Sequence, residues 1–227
     1  MNILIYLIIL IICAGTLYLS NKLLGKLGLT IIAITMNFVS FLLTFKYVTL
    51  STINLNSNCI PYVTMLIAIY LLLEKTTKKE TKEVANLSFI INIFISVMLY
   101  IMTYHTQSLT DTISINMKNV FLKNTQILIA YPITTLISHH LLIWVYEKIK
   151  QIYDNYFITT VTIYLLVGII EGIIYTIIAY NRILTTKTII LIILSTYMIR
   201  LITTIIYSLL LTLLSKRKVT KWQLKFY

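Results

Sequence analysis

Seven apolar runs, most of them 18 residues or longer, leave this chain few ways to fold. Hydrocarbon offers no water to a backbone N–H or C=O, so a spanning segment must bond within itself as a helix or close into a barrel. The runs lie at about 2–20, 28–46, 58–74, 84–104, 125–146, 157–180 and 188–214. All but the third are long enough to cross ~30 Å of hydrocarbon as a helix. Of 227 residues 59% are hydrophobic and 11% charged, and mean hydropathy is +0.90. The expectation is an all-α, multi-pass transmembrane bundle of about seven spans. It forms one domain over residues 1–215, followed by a basic, aromatic tail over 216–227 that reads as an interfacial anchor.

The third run is short. The polar stretch Asn54 to Asn58 and Pro61 interrupt its start. Two readings stay open: a broken or re-entrant helix lining a site, or a helix that begins at the interface with Pro61 in its first turn.

Charge sets the orientation. On seven alternating spans, one side collects Lys22, Lys26, Lys75, Lys78, Lys79, Lys82, Lys148, Lys150 and five tail residues. The other holds Lys46, Lys118, Lys123, Arg182 and Lys187. Lys and Arg gather on the cytoplasmic side, so the N-terminus is expected outside and the C-terminus in the cytoplasm of a plasma membrane. Abundant Ile, Asn, Lys and Tyr suggest an AT-rich genome, and a bacterial membrane is expected. The net charge of +12 therefore points to the lipid bilayer rather than to nucleic acid.

Two charges sit inside the apolar runs, Glu171 in the sixth and Arg200 in the seventh. A charge at mid-bilayer costs roughly 2.5–3.5 kcal/mol and is normally kept for a partner or a pathway. Each lies ~21 Å from the cytoplasmic end of its helix by the helical rise, so the two are expected to face each other. They have two readings, a structural ion pair or a substrate or proton site. Gly168 and Gly172 flank Glu171 with the spacing that permits close helix approach.

Polar residues also recur at helical spacing: Thr30, Asn37, Ser40 and Thr44 in span two, Ser88, Asn92 and Ser96 in span four, Tyr131, Thr135, Ser138 and His139 in span five, and Thr196, Arg200, Thr203, Thr204 and Tyr207 in span seven. A helix in lipid turns such a stripe inward. Together with the buried acid and base, the stripes predict a polar central cavity, as in a small-molecule permease. The candidate substrate-binding residues are Glu171, Arg200, His139, Asn37, Asn92 and Thr203.

Other chemistry has little support. Cys13 and Cys59 have no metal spacing. His139 and His140 lack a third ligand at their depth, since His105 falls in the opposite loop. No nucleophile motif, phosphate loop or carboxylate pair is present, so neither a catalytic role nor a metal or cofactor is expected. Glu74 reads as the start of a solvated basic turn, and Trp144 and Tyr146 as interfacial belt residues.

The order of features resembles the vitamin uptake transporter family, also known as queuosine precursor transporters. The segment Leu24 to Leu29 is similar to the family's first loop, and Glu74, Lys75 and Lys78 to Glu80 to its Glu-Lys-Tyr-Gly-Lys-Lys-Glu turn. Gln126 to Ala130 with Leu136 to His139, and then Trp144, Tyr146 and Lys148, resemble one span. Glu171 with Tyr175, Ala179 and Tyr180 resembles an Asp-containing helix, and Thr196, Tyr197 and Arg200 the last one.

The resemblance implies import of a deazapurine precursor of queuosine, or a related metabolite, by facilitated or secondary transport. Several of the family's polar positions are replaced, by Phe41, Leu43, Tyr70, Gln126, Leu142, Gly168 and Tyr207 to Leu209. A divergent, non-transporting scaffold, immunity or substrate-binding subunit is the alternative, and a homo-oligomer or a membrane partner is compatible with either.

Overall fold

The computed structural model describes residues 2–50, 53–105, 114–153, 155–180 and 184–223. Its helices are α1 (Asn2–Leu43), α2 (Cys59–Leu73), α3 (Lys78–Met102), α4 (Ser114–Lys123), α5 (Thr125–Lys150), α6 (Tyr156–Tyr180) and α7 (Thr186–Gln223). Between α1 and α2 stand two short strands, β1 (Tyr47–Leu50) and β2 (Ile53–Asn56), paired antiparallel with Tyr47 opposite Asn56. Among the described residues, five helices are long and apolar enough to cross a bilayer, and α2 is a shorter apolar one. The expected all-α membrane bundle is the observed fold.

The helix α1 is two spans in one. Gly25 adopts φ 58° and ψ −124°, a conformation that breaks a right-handed helix and that glycine enters without a Cβ penalty. The chain folds back there. Gly28, on the second limb, lies so close to the first that a Cβ would overlap the Ser20 carbonyl. A straight α1 would hold Asn2 roughly 60 Å from Leu43. Instead, Asn2 Nδ2 donates to the Thr49 carbonyl at 2.6 Å, and Tyr6 donates to the Asn56 carbonyl at 3.2 Å. With its two limbs, α1 brings the long apolar passes among the described residues to six, 2–24, 26–43, α3, α5, α6 and α7, and the shorter α2 is a seventh apolar segment.

Helicity of the second pass stops at Leu43, short of the expected 46, because the next residues build the hairpin. The end of α1 leaves carbonyls that need donors within the bundle. Asn56 Nδ2 donates to the Thr44 carbonyl at 2.8 Å, Ser57 Oγ to the Leu43 carbonyl at 3.0 Å, and Asn58 Nδ2 to Thr44 Oγ1 at 2.9 Å. The polar stretch ahead of the third span is thus a cap for the second.

From Cys59 to Leu72 every residue of α2 is buried. It packs against α1, α5 and α7, with Tyr62, Val63, Met65 and Ile69 fully enclosed. Pro61 occupies its first turn, where a missing N–H costs nothing. At 15 residues it rises only ~22 Å.

Elsewhere local chemistry matches local need. Thr77 and Glu80 form a reciprocal capping box that starts α3. Pro132 removes the N–H that would bond the Leu128 carbonyl within α5. Ser96 of α3 donates to that carbonyl at 2.9 Å and ties the two helices together.

Candidate functional site

The side chains of Glu171 on α6 and Arg200 on α7 meet in the interior, each almost completely buried. Arg200 Nη1 donates to Glu171 Oε2, and Nη2 donates to Asn58 Oδ1 at 3.3 Å. The guanidinium lies over the Tyr62 ring, 4.0 Å from its centroid, an arrangement that favours a cation where water is excluded. Asn58 and Tyr62 belong to the start of α2. The short third pass therefore begins at the depth of the ion pair, and its N-terminal turn forms one wall of the site.

The flanking glycines have separate uses. The Tyr164 ring packs over Gly168, with its nearest ring carbon 3.0 Å from where a Cβ would stand. Gly172 faces Ile193 of α7. Tyr164 and Tyr197 stack nearly parallel, 12° between planes and 6.1 Å between centroids.

A cavity of about 20 Å³, room for a single water, adjoins the pair. Gly168, Gly172, Tyr175, Thr176, Thr196, Tyr197 and Arg200 line it, with Tyr47 and Asn56 from the base of the hairpin. Arg200 Nε, Thr196 Oγ1 and the Tyr164 and Tyr197 hydroxyls are buried without a hydrogen-bond partner. Buried polar atoms are nearly always paired, so these four leave hydrogen-bonding capacity around the ion pair for a water or a ligand.

The remaining sequence candidates lie apart from this pair. Asn37 and Asn92 meet each other, with Asn92 Nδ2 donating to Asn37 Oδ1 and to Thr135 Oγ1, both at 3.3 Å. Tyr131 donates to Asn37 Oδ1 at 3.2 Å, and Asn37 Nδ2 to the Ser88 carbonyl at 3.4 Å. This is a second polar network, joining α1, α3 and α5. His139 is buried with Nε2 3.3 Å from the Met65 sulfur, on a different turn of α2 from Tyr62. His140 reaches Asn86 at 3.0 Å instead. Thr203 is buried, but its hydroxyl donates to the Ile199 carbonyl of its own helix. The polar stripes thus form separate clusters rather than one open chamber.

Two expectations at the opposite end are corrected. Glu74 is not a solvated turn residue, since only 15% of its side chain is exposed. Its carboxylate accepts from Tyr146 at 2.7 Å, Lys150 at 3.0 Å and Tyr156 at 3.4 Å. Tyr146 is accordingly tied to Glu74 rather than serving as a belt residue. Trp144 is exposed on the surface of α5, as a belt residue would be.

Sequence reasoning did not single out Asn58, Tyr62, Tyr164 or Tyr197 for the site. The one available signal was the short third span with the polar stretch up to Asn58 ahead of it, since an interrupted span of this kind points to a site.

A family profile described as "putative vitamin uptake transporter" matches residues 56–214, more than two thirds of the chain. The match runs from the base of the hairpin into α7 and includes Glu171, Arg200, Asn58 and Tyr62. No curated protein and no solved structure matches.

Proposed function

Because the chain belongs to the vitamin uptake transporter family, we propose that it imports a small, partly polar heterocycle, a deazapurine precursor of queuosine or a related metabolite. The observation that carries this reading is the Glu171–Arg200 pair with its four unpartnered polar atoms. Arg200 Nε offers a hydrogen bond, and the hydroxyls of Thr196, Tyr164 and Tyr197 can give or take one. The stacked tyrosine rings add a surface suited to a planar ligand. Glu171 holds Arg200 in place and takes a ligand N–H or a proton when the pair opens. Asn37, Asn92 and His139 support the helices on which these groups ride, and Thr203 closes the turn after Arg200.

The test is uptake of labelled queuosine precursors by cells that lack their own importer. The expected result is accumulation above the empty-vector level. Glu171→Gln should lower it about ten- to a hundredfold, the effect of losing one charged hydrogen bond. Full uptake by that variant at equal membrane abundance removes Glu171 from the mechanism. No uptake by the wild-type chain favours the non-transporting scaffold or binding subunit.

A further inference from the structure

The cavity beside Arg200 has a counterpart on the other side of the ion pair. A second void of about 20 Å³ is lined by Val63, Leu66, Tyr70, Thr160, Tyr164 and Thr204, among others. Both voids lie along α6 and α7. Arg200 borders the first and Thr204, one turn further along α7, borders the second. Tyr164 stands between them, lining the second void while its ring covers Gly168 in the first.

Each void ends at a knot of polar and aromatic side chains. At the hairpin end, Tyr47 of β1 hydrogen-bonds the Tyr180 hydroxyl, and Tyr180 bonds Tyr175 at 3.2 Å. Tyr47 and Tyr175 themselves line the first void. At the other end, Tyr70 lines the second void and packs edge-on against Tyr146 and Tyr156, at 5.6 and 6.3 Å between centroids. Glu74 holds those two rings by their hydroxyls and Lys150 by its ammonium.

We propose that these features form one translocation path along α2, α6 and α7, captured shut at both ends. Tyr47, Tyr175 and Tyr180 are the closure on the hairpin side, and Tyr70 anchored by Glu74 is the closure on the opposite side. The proposal rests on the transport reading above. A void of 20 Å³ admits no metabolite, whereas ligand sites run to hundreds of Å³, so a bound ligand requires one closure to part. The two closures share no residue. Each holds by a few hydrogen bonds and ring contacts, so either can part while the other holds. The hairpin contributes only four-residue strands and is the smallest element that has to move.

Thiol labelling tests this without any substrate. Native cysteines are replaced as Cys13→Ala and Cys59→Ser. One probe cysteine is introduced in each void, Thr196→Cys on the hairpin side and Thr204→Cys on the other. A membrane-impermeant maleimide is then applied from each face, in whole cells and in inverted vesicles. Tyr180→Phe removes the bonds to both Tyr47 and Tyr175 and should raise labelling at position 196 at least about fivefold from the hairpin face, the shift expected from one such bond alone. It should leave position 204 unchanged. Glu74→Gln should do the converse, raising labelling at 204 from the opposite face. Unchanged labelling in both variants, with equal membrane abundance, overturns the path, as does a rise at the wrong position. Because the readout is accessibility, a chain that gates correctly yet fails the uptake assay separates the fate of this proposal from that of the transport reading.

Discussion

Arg200 is held from three sides: by the Glu171 carboxylate, the Asn58 amide and the Tyr62 ring. Removing one member of a buried pair strands the other, at a cost of about 3–5 kcal/mol, whereas replacing both by neutral groups is often tolerated. Arg200→Met alone should therefore lower the melting temperature of detergent-purified protein sharply. Arg200→Met with Glu171→Gln should recover most of that loss while remaining inactive in uptake. A double variant as unstable as the single one contradicts this view of the pair. The pairing is legible in the sequence because helical rise puts both residues at one depth on successive antiparallel helices. The environment of Glu74 is not, since its partners Tyr146, Lys150 and Tyr156 lie 72 to 82 residues further along the chain. Asn37, Asn92 and Thr203 were legible as polar and inward, but helical spacing does not say which inward cluster a residue joins.

Among the elements, the long passes α3, α5, α6 and α7 follow from hydropathy alone, and the break between the first two runs from the gap at residues 21–27. What Gly25 and Gly28 add is the tightness of that break. Gly28 accepts no Cβ without moving the Ser20 carbonyl, so Gly28→Ala should destabilise the helical hairpin. Backbone rearrangement of this kind costs on the order of 1–3 kcal/mol. Gly15→Ala, where a Cβ meets open space, is the control and should raise rather than lower stability, since alanine is the better helix former. A thermal melt comparing the two variants decides the point; equal melting temperatures contradict the close approach. The β-hairpin escaped notice because strands of four residues carry too little periodicity. Its sequence also continues an apolar run already explained as helix, and its polar base acts through caps on α1 rather than through its own pattern.

At the scale of the whole molecule, the passes differ in what they face. Only 22% of the α3 window and 17% of the α7 window that best match a membrane span are buried, while α2 is buried from Cys59 to Leu72. A ~22 Å helix cannot reach water at both ends of a ~30 Å core, and α2 starts inside the bundle at Asn58. Its surroundings come from segments on both sides of it in the chain, and two of them, α5 and α7, are made long afterwards. The consequence falls on biogenesis. A chain stopped after residue 105 should leave Cys59 open to an aqueous maleimide, while the full-length chain shields it; shielding in both would contradict this order. A segment made before α5 and α7 is then placed only after them, and the pocket that it walls exists only once Arg200 of α7 has been made.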